Sequence, residues 1–401
     1  MRLGISDVAS RQHRFHAEPG ARRPSRCVQH AGGLVVVPLV LLASAFWVCP
    51  LLAHQVISAD SKRWGSPRAH GLAVAYRMCA LPKCGGVGTF GPVMNNRGDV
   101  AMFVMSALAG RDPEVRGILL RGGHATNLGP DVMFYAMNDR GALVGSVADP
   151  AGGMHAALFV DGRWHVLPGR PSLARSFACS VNGRGDTLVV MWAGAGTYVW
   201  HAGSLRAVGG DRFTGQCINA RGTVGGVVCP GMVATLSSGG LRRLPVGRHQ
   251  YAQVTGLNGA GDVTGYFGDP GLPKRAFITE GRCVALLEPW HRRFFTDSVA
   301  LNSAGDVVGT WGTEPLNGSV FLYHARRVFE LAAASQEASN WTRIDIRGMN
   351  DAGWICGDGM YHGRCRAFIM KRIRPGVQQR GAGPDFVGVA APIRVTFERP
   401  R

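Results

Sequence analysis

One short turn, returning seven times, constrains this chain more than any other feature. An asparagine followed three residues later by a glycine stands at Asn95–Gly98, Asn138–Gly141, Asn182–Gly185, Asn219–Gly222, Asn258–Gly261, Asn302–Gly305 and Asn350–Gly353, each time after an apolar residue. In five copies a second glycine follows seven residues after the asparagine: Gly145, Gly226, Gly265, Gly309 and Gly357. From Asn95 to Asn350 the mean spacing is 42.5 residues, the length of a four-stranded propeller blade. Asparagine at the first position of a type I turn accepts a backbone hydrogen bond, and glycine at the fourth takes a positive φ, so each N-x-x-G predicts a tight hairpin between two strands. Asp99, Asp186, Asp262 and Asp306 follow the glycine in four copies and read as turn residues, with a calcium site as the alternative.

The rest of each repeat is consistent with this. A strand such as DVVGTWG (306–312) follows the turn; then come a variable loop and a second apolar strand, HAALFV (155–160), RAFIT (275–279), SVFLY (319–323) or RAFIM (366–370). Asp161-Gly162 and Glu280-Gly281 are hairpin turns, and a further strand ends near Leu in WHVLP, CVALL and RVFEL. With 57 glycines and few helical patterns, the expected fold is all-β, a seven-bladed β-propeller over residues 60–401, the alternative being an open β-solenoid-like array. Tight turns join neighbouring strands of a blade, so the strand before each Asn is innermost and the Leu-ended strand outermost. The N-x-x-G turns then share one face, and the inner variable loops share the other with the crossovers between blades. The last repeat lacks an outer strand; GLAVAYRM (71–78) near one end or IRVTF (393–397) near the other completes it, closing the ring.

Over about residues 87–370 this arrangement resembles the HAF repeat family, bacterial extracellular repeat proteins named for a His-Ala-Phe stretch. His155-Ala156-Ala157-Leu158-Phe159 is the nearest literal match, and two copies read Arg-Ala-Phe. The resemblance implies export and a propeller-like repeat fold, and no particular activity.

Residues 1–55 form a basic leader followed by an apolar segment. The uncharged run GLVVVPLVLLASAFWVCPLLA (33–53) follows a basic stretch ending RRPSRCVQH, the layout of a signal peptide. Ala43-Ser44-Ala45 fits a cleavage site, as does a cut after Ala53; uncleaved, the run is long enough to anchor the chain in the inner membrane. Either way the remainder is expected in the periplasm or outside the cell, with membrane contact only through this segment. Beyond it lie eight cysteines, an even number that in an exported chain points to disulfides. Spacing predicts Cys356–Cys365 across a hairpin and Cys79–Cys84 as a second bridge; Cys179, Cys217, Cys229 and Cys283 have no evident partners.

The formal net charge is +18. Removing six arginines and two acids in the first 53 residues leaves 38 basic and 24 acidic side chains, a balance that favours anionic partners. The crossovers gather arginines with aromatic rings, which together suit an anionic ligand with planar faces. The ligand-binding candidates are Arg212, Phe213, Arg248, Tyr251, Trp290, Arg292, Arg293 and Trp341, with Arg175 and Phe177 beside them; packing between blades is the plainer role for the rings. There is no nucleophile elbow, P-loop, HExxH, zinc spacing or dinucleotide fingerprint, and no cofactor or metal is expected. The expectation is an exported, non-catalytic binding or scaffold protein for an anionic glycan or other polyanion, with a protein partner at the cell surface also possible. The alternative is a carbohydrate-active enzyme, hydrolase or lyase, using Asp149, Asp269 and Glu314 in acid-proline loops.

Overall fold

The computed structural model describes residues 75–106, 114–167, 175–191, 196–210, 212–287, 295–312, 319–331 and 341–373. The apolar run at 33–53, the IRVTF strand, Trp290, Arg292, Arg293 and Glu314 lie outside them. Twenty-eight strands form seven four-stranded antiparallel sheets, and the described residues contain no helix. The fold is a seven-bladed β-propeller.

The inner strands are Gly88–Met94, Val132–Met137, Ser176–Val181, Phe213–Ile218, Tyr251–Leu257, Phe295–Leu301 and Trp341–Met349, each ending at the residue before a repeat Asn. Blades 1 to 6 are contiguous in sequence. Blade 7 is closed by the other end of the chain: Ala75–Ala80 pairs antiparallel with Arg364–Ile373 as its outermost strand. The AYRM half of GLAVAYRM, continued to Ala80, thus completes the ring. Tyr76 and Met78 from this strand join Ile355, Phe368 and Met370 of blade 7 in one buried cluster, so closing the ring also closes its core.

The recurring asparagine is more than a turn residue. All seven are buried. The Asn182 Oδ1 accepts from the Arg184 and Asp186 backbone N–H groups, each at 3.0 Å, which holds its own turn. Its Nδ2 donates to the Asn219 carbonyl of the next blade at 2.9 Å. The same bond links Asn95 to Asn138, Asn138 to Asn182, Asn219 to Asn258 and Asn258 to Asn302. Asn350 donates to the Asn95 carbonyl at 3.3 Å, joining the last blade to the first. An Asn side chain has both a donor and an acceptor, so one residue type can brace a hairpin and tie adjacent blades.

The second glycine is explained by contact rather than by φ. Each inner strand carries an irregularity just before its Asn, and this pushes a carbonyl towards the second strand. A Cβ on Gly145 would stand 1.8 Å from the Met133 carbonyl oxygen, and one on Gly309 2.2 Å from that of Asp297. In blades 5, 6 and 7 the glycine also pairs across the ladder with the Phe of the next strand: Gly265 with Phe277, Gly309 with Phe321, Gly357 with Phe368. Those three rings are completely buried. Each contributes on the order of 2–3 kcal/mol by leaving water.

The aspartates after the turn are braces. Asp99 takes Arg121, Asp186 takes Arg184 and His201, and Asp306 takes His324. The cations at the ends of the third strands answer them, and the described residues hold no cluster of metal-ligating side chains, so the calcium alternative has no support there.

The facing register expected for Cys356 and Cys365 is corrected. The hairpin of blade 7 turns on His362-Gly363, both at positive φ, two residues beyond the centre that spacing predicts. Cys356 therefore pairs with Ile369 and Cys365 with Met360. Cys356, Cys365 and Cys84 are free thiols in this structure. Burial pushes the Cys356 thiol up to about 12.

Candidate functional site

The inner strands line a central channel, and their period-2 alternation sorts its residues. Counting back from each Asn, positions four and six are mostly buried between blades, while positions three and five keep surface open in most blades. Those two rows divide the channel in half. Blades 1 to 3 supply Phe90, Met133, Tyr135, Phe177 and Cys179; blades 4 to 7 supply Thr214, Gln216, Gln253, Thr255, Asp297, Asp345 and Arg347, with Val299 the one apolar member.

The apolar half has an open aromatic step. Tyr135 is 40% exposed and meets Phe177 edge to face with ring centroids 5.8 Å apart, an arrangement that favours ring over ring contact. Arg175, the residue just before the strand that carries Phe177, is exposed at the crossover end of the channel. Arg212 and Arg343 stand exposed at the same level of blades 4 and 7.

The polar half is a set of coupled charges. Arg347 Nε lies 2.9 Å from Asp358 Oδ1 and its Nη2 2.8 Å from Asp345 Oδ2; burial works against the guanidinium, but the two carboxylates outweigh it and raise its pKa. The Gly91 N–H donates to the same Asp358 oxygen at 3.1 Å, tying blade 7 to blade 1. Asp345 remains 46% exposed, yet enclosure by protein lifts its carboxyl above the usual range against the pull of Arg347. Burial also raises Asp297, which Lys274 at 3.7 Å only partly offsets. Lys274 lies over the Tyr266 ring, and the Tyr266 hydroxyl donates to Gln253.

Several residues singled out in the sequence fall elsewhere. Phe213 is 2% exposed and belongs to the core between blades 3 and 4. Trp341 is 6% exposed, packed on Tyr361 and Phe368. Both occupy positions whose side chains point between blades, so neither is a stacking platform. Arg212 and Arg248 are exposed, and Tyr251 is half-buried. Tyr135 escaped notice because it precedes a turn by three residues instead of lying in a crossover; its offset from Asn138 was the available signal.

The acid-proline carboxylates serve their own loops. Asp149 lies 2.7 Å from His155 Nε2 and accepts the N–H groups of Ala151 and Gly153; the His155 bond is the main reason its pKa falls. Asp269 lies 2.9 Å from His249 Nδ1 and accepts the Gln250 N–H. Burial raises it, but those two bonds prevail and lower its pKa. The two aspartates sit in blades 2 and 5, with no partner in common.

No protein-family profile matches the chain, and no curated protein sequence does. Solved structures match in shape. The β-propeller domain of the Trilobed protease from Pyrococcus furiosus aligns with TM-score 0.52 at 10% identity, over 71% of this chain and 97% of that one. Virginiamycin B lyase from Staphylococcus aureus gives 0.48 at 10% identity, over 75% and 100% of the two chains. A puromycin-hydrolyzing peptidase from Mycobacterium tuberculosis gives 0.47 at 14%, over 77% and 56%. Identities this low carry the fold and nothing finer: the chain is a seven-bladed β-propeller.

Proposed function

We propose that this is an exported, non-catalytic binding protein that holds an anionic ligand, a glycan or other polyanion, at the crossover mouth of its channel. One observation carries the reading. Arg175, Arg212 and Arg343 are exposed at the same offset, seven residues before the Asn, in blades 3, 4 and 7, and the Phe177–Tyr135 step follows further along the channel wall. Guanidinium groups pair with carboxylate, sulfate or phosphate, and rings accept the flat face of a sugar or base. The apolar run at 33–53 and the resemblance to HAF repeat proteins support export.

The enzyme reading draws less support. A glycosidase needs a carboxylic acid held protonated near neutral pH, whereas Asp149 and Asp269 are shifted the other way.

Titration with an acidic oligosaccharide, with product detection, tests the proposal. Arg175→Ala with Arg212→Ala should flatten the salt dependence of binding, because released counterions drive ion pairing. Tyr135→Ala should weaken binding at every salt concentration by on the order of 1–3 kcal/mol. Parent-like binding by both variants would remove the ligand from this mouth, and turnover by the parent protein would favour the enzyme.

A further inference from the structure

We infer that the opposite mouth of the channel is a second anion-binding surface, an arc of arginines suited to an acidic polysaccharide. The two central residues of each N-x-x-G turn are free to vary, and the second of them follows the ring. It is Arg97, Arg140, Arg184 and Arg221 in blades 1 to 4, then Ala260, Ala304 and Ala352 in blades 5 to 7. All four arginines are exposed. The ladder bonds between Asn95, Asn138, Asn182 and Asn219, at 2.9–3.1 Å, fix their turns in consecutive register, so the four guanidinium groups share one curved row.

The acids near this row are largely committed. Asp99 holds Arg121, Asp186 holds Arg184 and His201, and Asp139 accepts two bonds from Asn96. Arg97, Arg140 and Arg221 form no ion pair among the described residues. Beyond the arc the sign reverses. Where blades 1, 3 and 6 end the third strand in a cation-bearing partner for the turn aspartate, blade 5 has Glu280. Asp262, Glu280 and Asp306, together with Tyr323 and Arg326, line a cavity of about 380 Å³, where Arg326 pairs with Glu280 at 2.9 Å and His324 with Asp306. Three carboxylates against one arginine make this stretch less attractive to a polyanion than blades 1 to 4.

The surface chemistry selects among polyanions. Single-stranded nucleic acid needs rings to stack on, and the nearby Trp354 is covered by Lys371, 4.2 Å from its centroid. A bound peptide normally needs a sheet edge or a groove, and closed turns offer neither. A chain with regularly repeated carboxylates or sulfates meets a row of forked donors directly.

The test compares three variants of equal charge loss, each titrated with a size-defined sulfated oligosaccharide across a salt series. Arg97→Ser, Arg140→Ser and Arg221→Ser together should weaken binding at least about tenfold at low salt and lower the salt slope, with Tm unchanged. Arg206→Ser, Arg243→Ser and Arg282→Ser, spread over outer strands and turns, should change little. Arg175→Ser, Arg212→Ser and Arg343→Ser report on the crossover mouth alone. Parent-like binding by the first variant overturns the inference, as does an equal loss from the outer-strand control. Stronger binding of polyglutamate than of the oligosaccharide overturns the choice of partner.

Discussion

The two mouths of the channel are built on opposite terms. At the Asn-turn mouth every blade repeats the same turn, and at six of the seven steps the identical side chain bonds its neighbour's carbonyl. Along the channel wall leading to the crossover mouth no two blades present the same pair of residues: Met133 with Tyr135, Phe177 with Cys179, Thr214 with Gln216, Asp345 with Arg347. A closed ring needs only one end to be uniform. Once the Asn ladder sets register, the other end is free to vary, and variable side chains on a rigid ring are how propellers carry ligands.

Breaking the uniform end should cost most. In Gly309→Ala the new Cβ would lie 2.2 Å from the Asp297 carbonyl oxygen and 2.5 Å from the Phe321 ring, between backbone and a fully buried side chain. Neither can retreat, so the loss should be about 3 kcal/mol or more. Gly261→Ala isolates the other demand on glycine: φ is +94° but nothing lies within 4 Å of the added Cβ, and the cost should stay near 1 kcal/mol. Urea denaturation of both variants separates collision from conformation; equal losses would show the collision is relieved by a small strand shift.

Asn182→Ala comes next. It leaves the Arg184 and Asp186 N–H groups without their partner, takes one of two donors from the Asn219 carbonyl, which keeps the Gly222 N–H, and strips Asp186 of a donor at 2.8 Å. Each buried group left unsatisfied costs about 1–3 kcal/mol, and water entering the gap recovers part, so a net loss of about 3 kcal/mol is expected. A loss under about 0.5 kcal/mol would reduce the ladder to a consequence of blade packing.

These same contacts explain what was legible in the sequence. The seven N-x-x-G turns are periodic because each does the same job, so blade number and strand order followed from spacing, whereas the choice between the two chain ends for the closing strand did not and is made by the pairing of Ala75–Ala80 with Arg364–Ile373. The ladder itself was not legible, since its acceptor is a backbone carbonyl some 40 positions away and leaves no mark on composition. The partnership of Gly309 with Phe321 was hidden for a related reason: both were visible, in different strands, and only register joins them. The blade 7 bridge failed on two residues of register, because His362 takes a positive φ that its identity does not advertise. Phe213 and Tyr135 are both aromatic residues of inner strands; whether they sit six or three positions before the Asn decides that one is core and the other open. Function rests on such offsets, so it was the least legible part.

The smallest expected effect is also the one that distinguishes the mouths by sign. Asp186, at the uniform end, is raised by burial, but the bonds from Asn182, Arg184 and His201 outweigh this and hold its carboxyl below the usual range. A lowered folded pKa adds stability above the unfolded value, near 3.9, which is lost as pH falls through the folded value. Asp297, in the polar half of the channel near the crossover mouth, is shifted upward because burial exceeds the help from Lys274. Its native state binds the proton more tightly than the unfolded chain does. The stability this provides is full below about pH 3.9 and is lost as pH rises through the raised value. Asp297→Asn removes the charge but keeps the shape, and Lys274 retains the Tyr266 ring. The variant should match the parent at the acid end and be the more stable of the two at pH 7, while Asp186→Asn should be the less stable at pH 7. Denaturation midpoints across pH 3 to 7 read both. An Asp297→Asn protein less stable than the parent at neutral pH would mean that the ion pair with Lys274 outweighs burial, and that the channel's polar half is braced for stability as firmly as the Asn ladder.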